Sequence, residues 1–246
     1  MLLRRRVPVA PPAVLRRGEG PPRFVAVPGL GLSVDGWRAP ATLLAALAPD
    51  AVVALPAYGL PARSGTALDP GASADRLIPW LDELGADPVV LIGHSSSAQV
   101  VCEVARRVPA RVDGLVLVGP TTDDRDRTWP RLAARWLRTA AHERLGQIPL
   151  LARDYTHAGL VTFALAMDAS RKHPSAWPLG GTTCPVLLIR GHQDHLSPAD
   201  WLDRLAEGRP HTHVVTLPVG GHMLPITHPN ELVDAMLPFL REIVGN

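Results

Sequence analysis

A chain of 246 residues, 46% of them hydrophobic, is long enough for one domain with a sizeable core. Its formal net charge of +2, from 25 Lys and Arg against 23 Asp and Glu, comes without a basic stripe interleaved with aromatics, which argues against nucleic acid or an anionic membrane as a partner. The 26 prolines and 21 glycines follow no period and read as loop punctuation, not as a collagenous or low-complexity tract.

The opening stretch, M-L-L-R-R-R-V-P-V-A-P-P, has arginines but lacks the continuous apolar run of a secretory signal, and no segment reaches transmembrane length. A soluble cytoplasmic protein is expected. Cys102 and Cys184 read as buried small residues rather than a disulfide or a metal pair.

In chain order, residues 1–22 are rich in Pro and Arg, and residues 7–9 and 13–16 read either as short edge strands or as a loose tail. Residues 23–27 form a buried strand that ends at Pro28-Gly29-Leu30-Gly31. A helix is expected over 37–47, with Trp37, Leu43, Leu44 and Leu47 on one side, then a strand over 51–55 and a helix over 73–84.

Residues 89–92 are a short apolar run rich in β-branched residues, as suits a strand buried on both faces. They meet Gly93-His94-Ser95-Ser96-Ser97, after which Ala98, Val101, Cys102 and Ala105 recur at helical spacing. A serine therefore sits at the hinge of a strand–turn–helix, where the new helix aims its free N–H groups at the same corner. Read as structure alone, this is a polar turn with a serine helix cap.

A strand over 114–118 follows. Residues 121–183 then keep a helical pattern without a strand, which marks an insertion. Alternation resumes with a strand over 185–189, a helix over 199–207, a strand over 214–217 and a closing helix over 229–244. Strands and helices alternating at short intervals predict a mostly parallel central sheet flanked by helices, with all strand C-termini along one edge. Ligands of such sheets bind along that edge. No internal repeat is visible.

The stretch around Ser95 resembles the nucleophile elbow of the α/β-hydrolase family, usually G-x-S-x-G, with Ser97 standing where the second glycine belongs. Mild crowding is expected there rather than loss of the turn. The R-G-H-Q-D-H-L-S-P stretch is similar to the family's acid loop and G-G-H-M-L-P to its histidine loop. The resemblance covers about residues 20–244 and implies an α/β-hydrolase fold with a short helical lid. The expected division is an N-terminal tail or edge strands (1–22), a core in two parts (23–120 and 184–246) and the lid (121–183).

A serine hydroxyl needs an adjacent base, and the base an orienting acid. The family order of serine, acid, histidine is met by Ser95, Asp194 and His222. Rivals for the acid are Asp123 and Asp124. Asp194 is also open to reading as a surface turn residue, and His192, Asp194 and His195 together as metal ligands. The resemblance implies an oxyanion hole built from the backbone N–H groups of Leu30 and Ser96, with Pro28 replacing the family's usual histidine. Losing one such donor costs about 3 kcal/mol of transition-state stabilisation.

Trp37, His94 and Trp129 are candidate pocket residues. Core packing is the rival reading for the tryptophans, and bracing of the elbow for His94. The function implied is a serine hydrolase cleaving a small-to-medium, largely apolar ester, thioester or lactone, with no cofactor or metal and a small molecule as its partner. A carbon–carbon bond hydrolase or lyase using the same three residues, and a non-catalytic ligand binder, are the alternatives.

Overall fold

The computed structural model describes residues 14–173 and 181–245. The expectation for residues 7–9 lies outside them. The strands are β1 (Val14–Arg17), β2 (Phe24–Val27), β3 (Asp50–Val53), β4 (Leu55–Pro56), β5 (Gly59–Leu60), β6 (Val89–His94), β7 (Val112–Val118), β8 (Val186–Gly191) and β9 (Thr212–Leu217). The helices are α1 (Arg38–Leu44), α2 (Pro70–Leu84), α3 (Ser97–Arg107), α4 (Trp129–Ala140), α5 (Ile148–Ala158), α6 (Leu160–Lys172), α7 (Ala199–Ala206), α8 (Leu224–Thr227) and α9 (Pro229–Val244).

Seven strands form one sheet in the order β1-β3-β2-β6-β7-β8-β9. β1 runs antiparallel to β3, and every other pair in that sheet is parallel. β4 and β5 form a separate two-stranded pair.

The two-residue period of the central strands explains the layers. Val25, Val27, Leu91, Leu115, Leu117 and Leu188 face one apolar cluster, which α2, α3 and α7 complete with Leu77, Leu81, Val101 and Leu202. Phe24, Ala26, Val90, Ile92, Val116 and Ile189 face the other, completed by Leu44 of α1 and Leu232, Met236 and Leu240 of α9. Each such aliphatic side chain, once buried, contributes roughly 1.5–3 kcal/mol. A framework of this size can hold one strained residue at the rim, at a cost of about 1–3 kcal/mol.

Several boundaries differ from the sequence reading. The helix expected over 37–47 is a 3-10 turn, Val34–Trp37, followed by α1, and Leu43 is exposed instead of packed. The helix expected from 73 starts at Pro70, because Asp69 caps it by accepting from the Ala72 N–H. The strand expected over 51–55 ends at Val53, and Leu55 belongs to β4. β9 begins at Thr212 and is largely exposed, as an edge strand with polar alternation can be. Cys184 is half-buried rather than buried, and both cysteines are free. Among the described residues, no helix is long and apolar enough to cross a membrane.

Candidate active site

The strand–turn–helix around Ser95 forms as its composition requires. β6 ends at His94, Ser95 takes φ +58, and α3 begins at Ser97. A left-handed backbone at a non-glycine residue is strained, and here the strain turns the hydroxyl out at the sheet edge. Gly93 is obligatory at the base of the turn, because a Cβ there would lie 2.7 Å from Cα of Ala98. The turn is kept with Ser97 in place of the family's glycine. The buried Ser97 hydroxyl accepts from the His94 N–H at 2.8 Å and faces the carbonyl oxygens of Val27 at 2.8 Å and His94 at 2.9 Å.

Asp194 and His222 arrive on the loops after β8 and β9, at the same edge. Their loops cross where Gly191 lies so close to the Gly220 carbonyl that no side chain fits at 191. His222 Nδ1 lies 2.8 Å from Asp194 Oδ2, and His222 Nε2 lies 2.8 Å from Ser95 Oγ. Asp194 Oδ1 accepts from the N–H groups of Leu196 (2.9 Å) and Ser197 (3.0 Å). The acid thus holds the imidazole in the tautomer with its proton on Nδ1, leaving Nε2 to accept from the serine.

Burial opposes the charge on Asp194, but the His222 ring and the N–H donors outweigh it and hold the carboxyl below its usual range. Burial likewise opposes protonation of His222, yet the Asp194 and Glu143 carboxylates leave its pKa raised.

The rival acids are engaged elsewhere. Asp123 pairs with Arg125 and Arg204 at 2.7 Å each, and Asp124 with Arg127 at 3.0 Å. The metal reading of His192, Asp194 and His195 loses its carboxylate to His222, while the His195 ring packs 5.8 Å from that of His142. The turn reading of Asp194 fails too, since the residue is only 1% exposed.

Leu30 lies on the turn after β2. Its neighbours spend their N–H groups, Gly31 on the Ala57 carbonyl (2.7 Å) and Leu32 on that of Gly29 (3.0 Å). Among the described residues, the N–H groups of Leu30 and Ser96 donate to no acceptor.

Of the candidate pocket residues, His94 borders a small cavity of about 40 Å³ together with Ser95 and His222. It is a brace as well, since its Nε2–H donates to the His222 carbonyl at 2.9 Å, and burial pushes its pKa down to about 3, so it stays neutral. Trp129 borders a larger cavity of about 370 Å³, which also touches Ser95. Trp37 borders neither. It is a core residue, 1% exposed, with its ring edge-on to His94.

Several further residues build this edge, and apart from Trp136 sequence reasoning did not single them out. Trp136 borders the two cavities already described and a third of about 220 Å³ that reaches His222. Buried Arg190 donates to the backbone carbonyls of His192, Asp194 and Ser197 and so shapes the acid loop. Ser96 Oγ donates to Ser170 Oγ of α6 at 2.8 Å, and Tyr58 completes the contact at 3.1 Å. Asp154 of α5 accepts from both the N–H and the hydroxyl of Ser33 at 2.8 Å. Glu143, just past α4, accepts from the N–H groups of His222 (2.6 Å) and Met223 (3.0 Å). Among the polar ones, only an arginine inside an otherwise apolar strand end was a sequence signal.

Residues 24–235 match the alpha/beta hydrolase family. Over 251 residues the chain is 25% identical to the dihydrolipoyllysine-residue acetyltransferase component of the acetoin cleaving system of Pseudomonas putida, a match covering 92% of this chain and 65% of that protein. It is 26% identical over 256 residues to the pimeloyl-[acyl-carrier protein] methyl ester esterase of Yersinia pestis, covering 92% of this chain and 95% of the relative. Among solved structures, a thermophilic esterase from Thermogutta terrifontis superposes with a TM-score of 0.79 at 23% identity, covering 94% of this chain and 93% of its own.

Proposed function

We propose that this chain, which belongs to the alpha/beta hydrolase family, is a serine hydrolase that cleaves a small-to-medium, largely apolar carboxylic ester, thioester or lactone. The observation that carries the reading is the 2.8 Å approach of His222 Nε2 to the hydroxyl of a serine held at φ +58. The Yersinia relative, itself named as an esterase, supports the same class of bond.

In this reading Ser95 Oγ attacks the carbonyl carbon while its proton passes to His222 Nε2. The oxygen that gains charge faces the N–H groups of Leu30 and Ser96, which among the described residues have no acceptor to give up. Collapse breaks the bond to the leaving group, and the imidazolium returns the proton to it. Water then takes the place of the serine hydroxyl, attacks the acyl-enzyme with His222 as base again, and releases the acid and free Ser95. Asp194 keeps its charge throughout and stabilises the imidazolium.

The described part of the segment after β7, residues 121–173, serves as the lid. Its helices α4, α5 and α6 roof the edge and contribute Trp136, Tyr155, Phe163 and Met167 to the small cavity at Ser95. The proton donor fixes the direction of the substrate, because the leaving group must lie on the His222 side. That side opens into the cavity of about 220 Å³, bordered by Ile148 and Leu151. The acyl chain then takes the larger cavity of about 370 Å³, walled by Trp129, Leu132, Leu160 and Phe163. Mass spectrometry of the protein during turnover of p-nitrophenyl esters tests the reading. An acyl adduct on Ser95 that forms and decays is expected; turnover that survives Ser95→Ala overturns it.

A further inference from the structure

We propose that Glu143 is a positioning residue for the base, holding the His222 loop from the helical segment so that the imidazole stays aimed at Ser95 while that segment is seated. This rests on the hydrolase reading of the same site.

The peptide units around His222 are gripped from two sides. Glu143 Oε1 accepts from the N–H groups of His222 and Met223, at 2.6 and 3.0 Å, and His94 donates to the His222 carbonyl at 2.9 Å. Among the described residues, neither N–H has another acceptor. The other carboxylate oxygen is steadied by Gln147 Nε2 at 3.0 Å. Hydrogen bonds from N–H to a carboxylate are about twice as strong as those between neutral groups. The chain also makes room for the contact, since a Cβ on Gly221 would stand 2.6 Å from Glu143 Oε1.

The grip on His222 is separate from the anchors of the segment itself. Asp154 holds the segment to Ser33, and Ser170 holds it to Ser96. Removing the Glu143 carboxylate therefore loosens the histidine loop without releasing the helices. Reacting groups need near-attack geometry, and misplacement by about 1 Å costs on the order of a hundredfold in rate.

The charged and titratable groups around the ring are Asp194 from the β8 loop, Glu143 from the helical segment, and His94 from β6, which is neutral. Farther out, Arg190 lies behind Asp194, and Arg144 faces His228 at 3.0 Å. Glu143 and Asp194 both favour the imidazolium.

The test compares Glu143→Gln with Glu143→Ala in the full chain, with ester kinetics and the 15N NMR titration of His222 as readouts. Gln keeps an acceptor but no charge, so plateau kcat stays near wild type while the His222 midpoint and the acid limb of kcat/KM move to lower pH. Ala loses both, and plateau kcat falls about tenfold to a hundredfold with KM little changed. Wild-type plateau kcat in folded Glu143→Ala, or an unmoved His222 midpoint in Glu143→Gln, overturns the proposal. If wild type turns over no ester, the hydrolase reading falls instead, and the NMR titration still decides whether Glu143 acts on His222.

Discussion

The Ser97 hydroxyl lies 2.8 Å from the Val27 carbonyl oxygen, so the turn after β6 is fastened to the end of the neighbouring strand β2. Ser97 Oγ in turn accepts from the His94 N–H at 2.8 Å. Ser97→Ala leaves a buried donor and a buried acceptor without a partner, and such a group costs about 1–3 kcal/mol. Urea denaturation is expected to show a loss of that order. A loss near zero would mean the hydroxyl merely fills space.

Asp194→Asn keeps the shape of the acid loop but favours the wrong imidazole tautomer. In other enzymes with this arrangement such a change lowers kcat by about 10⁴. A fall of about 10³–10⁴ in kcat, with KM nearly constant, is expected from steady-state ester kinetics. A fall of less than about tenfold would show that Asp194 does not orient His222.

In the proposed mechanism the acid limb of kcat/KM follows His222, which acts as base only when neutral. Burial opposes its protonation, but Asp194 and Glu143 together hold its pKa above the ordinary value near 6.5. Activity is therefore expected to fall as pH drops through a midpoint above about 6.5. The stability linked to this histidine has the opposite sense: it is present below the unfolded pKa and lost as pH rises through the folded one. A pH–rate profile with its acid midpoint well below 6 would contradict the assignment of this limb to His222.

Asp50 makes a separate prediction. It is 3% exposed at the start of β3, its Oδ1 has no hydrogen-bond partner among the described residues, and burial raises its pKa to about 7 against the pull of Arg17. A raised carboxyl stabilises the fold while protonated, so this stability is full below about 3.9 and is lost as pH rises through about 7. Asp50→Asn is expected to raise the melting temperature at pH 8 and to change it much less at pH 4.5. An equal shift at both would remove ionisation as the cause.

The two cavities give a prediction about substrate direction. Leu160 borders the larger one and Ile148 the smaller. Leu160→Trp is expected to reduce kcat/KM for long acyl chains while sparing acetates. Ile148→Trp should instead penalise bulky alcohols. A panel of esters varied at one end at a time checks this, and the reverse pattern would exchange the two arms.

The central strands, and with them the meeting of Ser95, Asp194 and His222, were legible because each residue follows a short apolar run and such runs end at one edge of a parallel sheet. Ser97 and Pro28 were the departures that favoured a non-catalytic binder. The bonds of Ser97 account for the first, and among the described residues the N–H of Leu30 has no acceptor despite the second.

For Trp37 the rival reading, core packing, holds: its place after a strand that ends at the active edge says nothing about which way the ring turns, and it turns into the core. Glu143, Asp154 and Ser170 were illegible for a related reason. Each contact depends on how three helices are laid across the edge, and helical periodicity shows which faces are apolar but not what lies beneath them. Exposed apolar residues such as Leu145 and Val161 make that periodicity a poor guide to the buried side here.

Peptide mapping after treatment with a fluorophosphonate tests the central claim, activation of the Ser95 hydroxyl by His222, most directly. Wild-type protein is expected to carry the label on Ser95, and folded His222→Ala to lose it. No label on folded wild-type protein, or undiminished labelling of Ser95 without His222, would contradict the account.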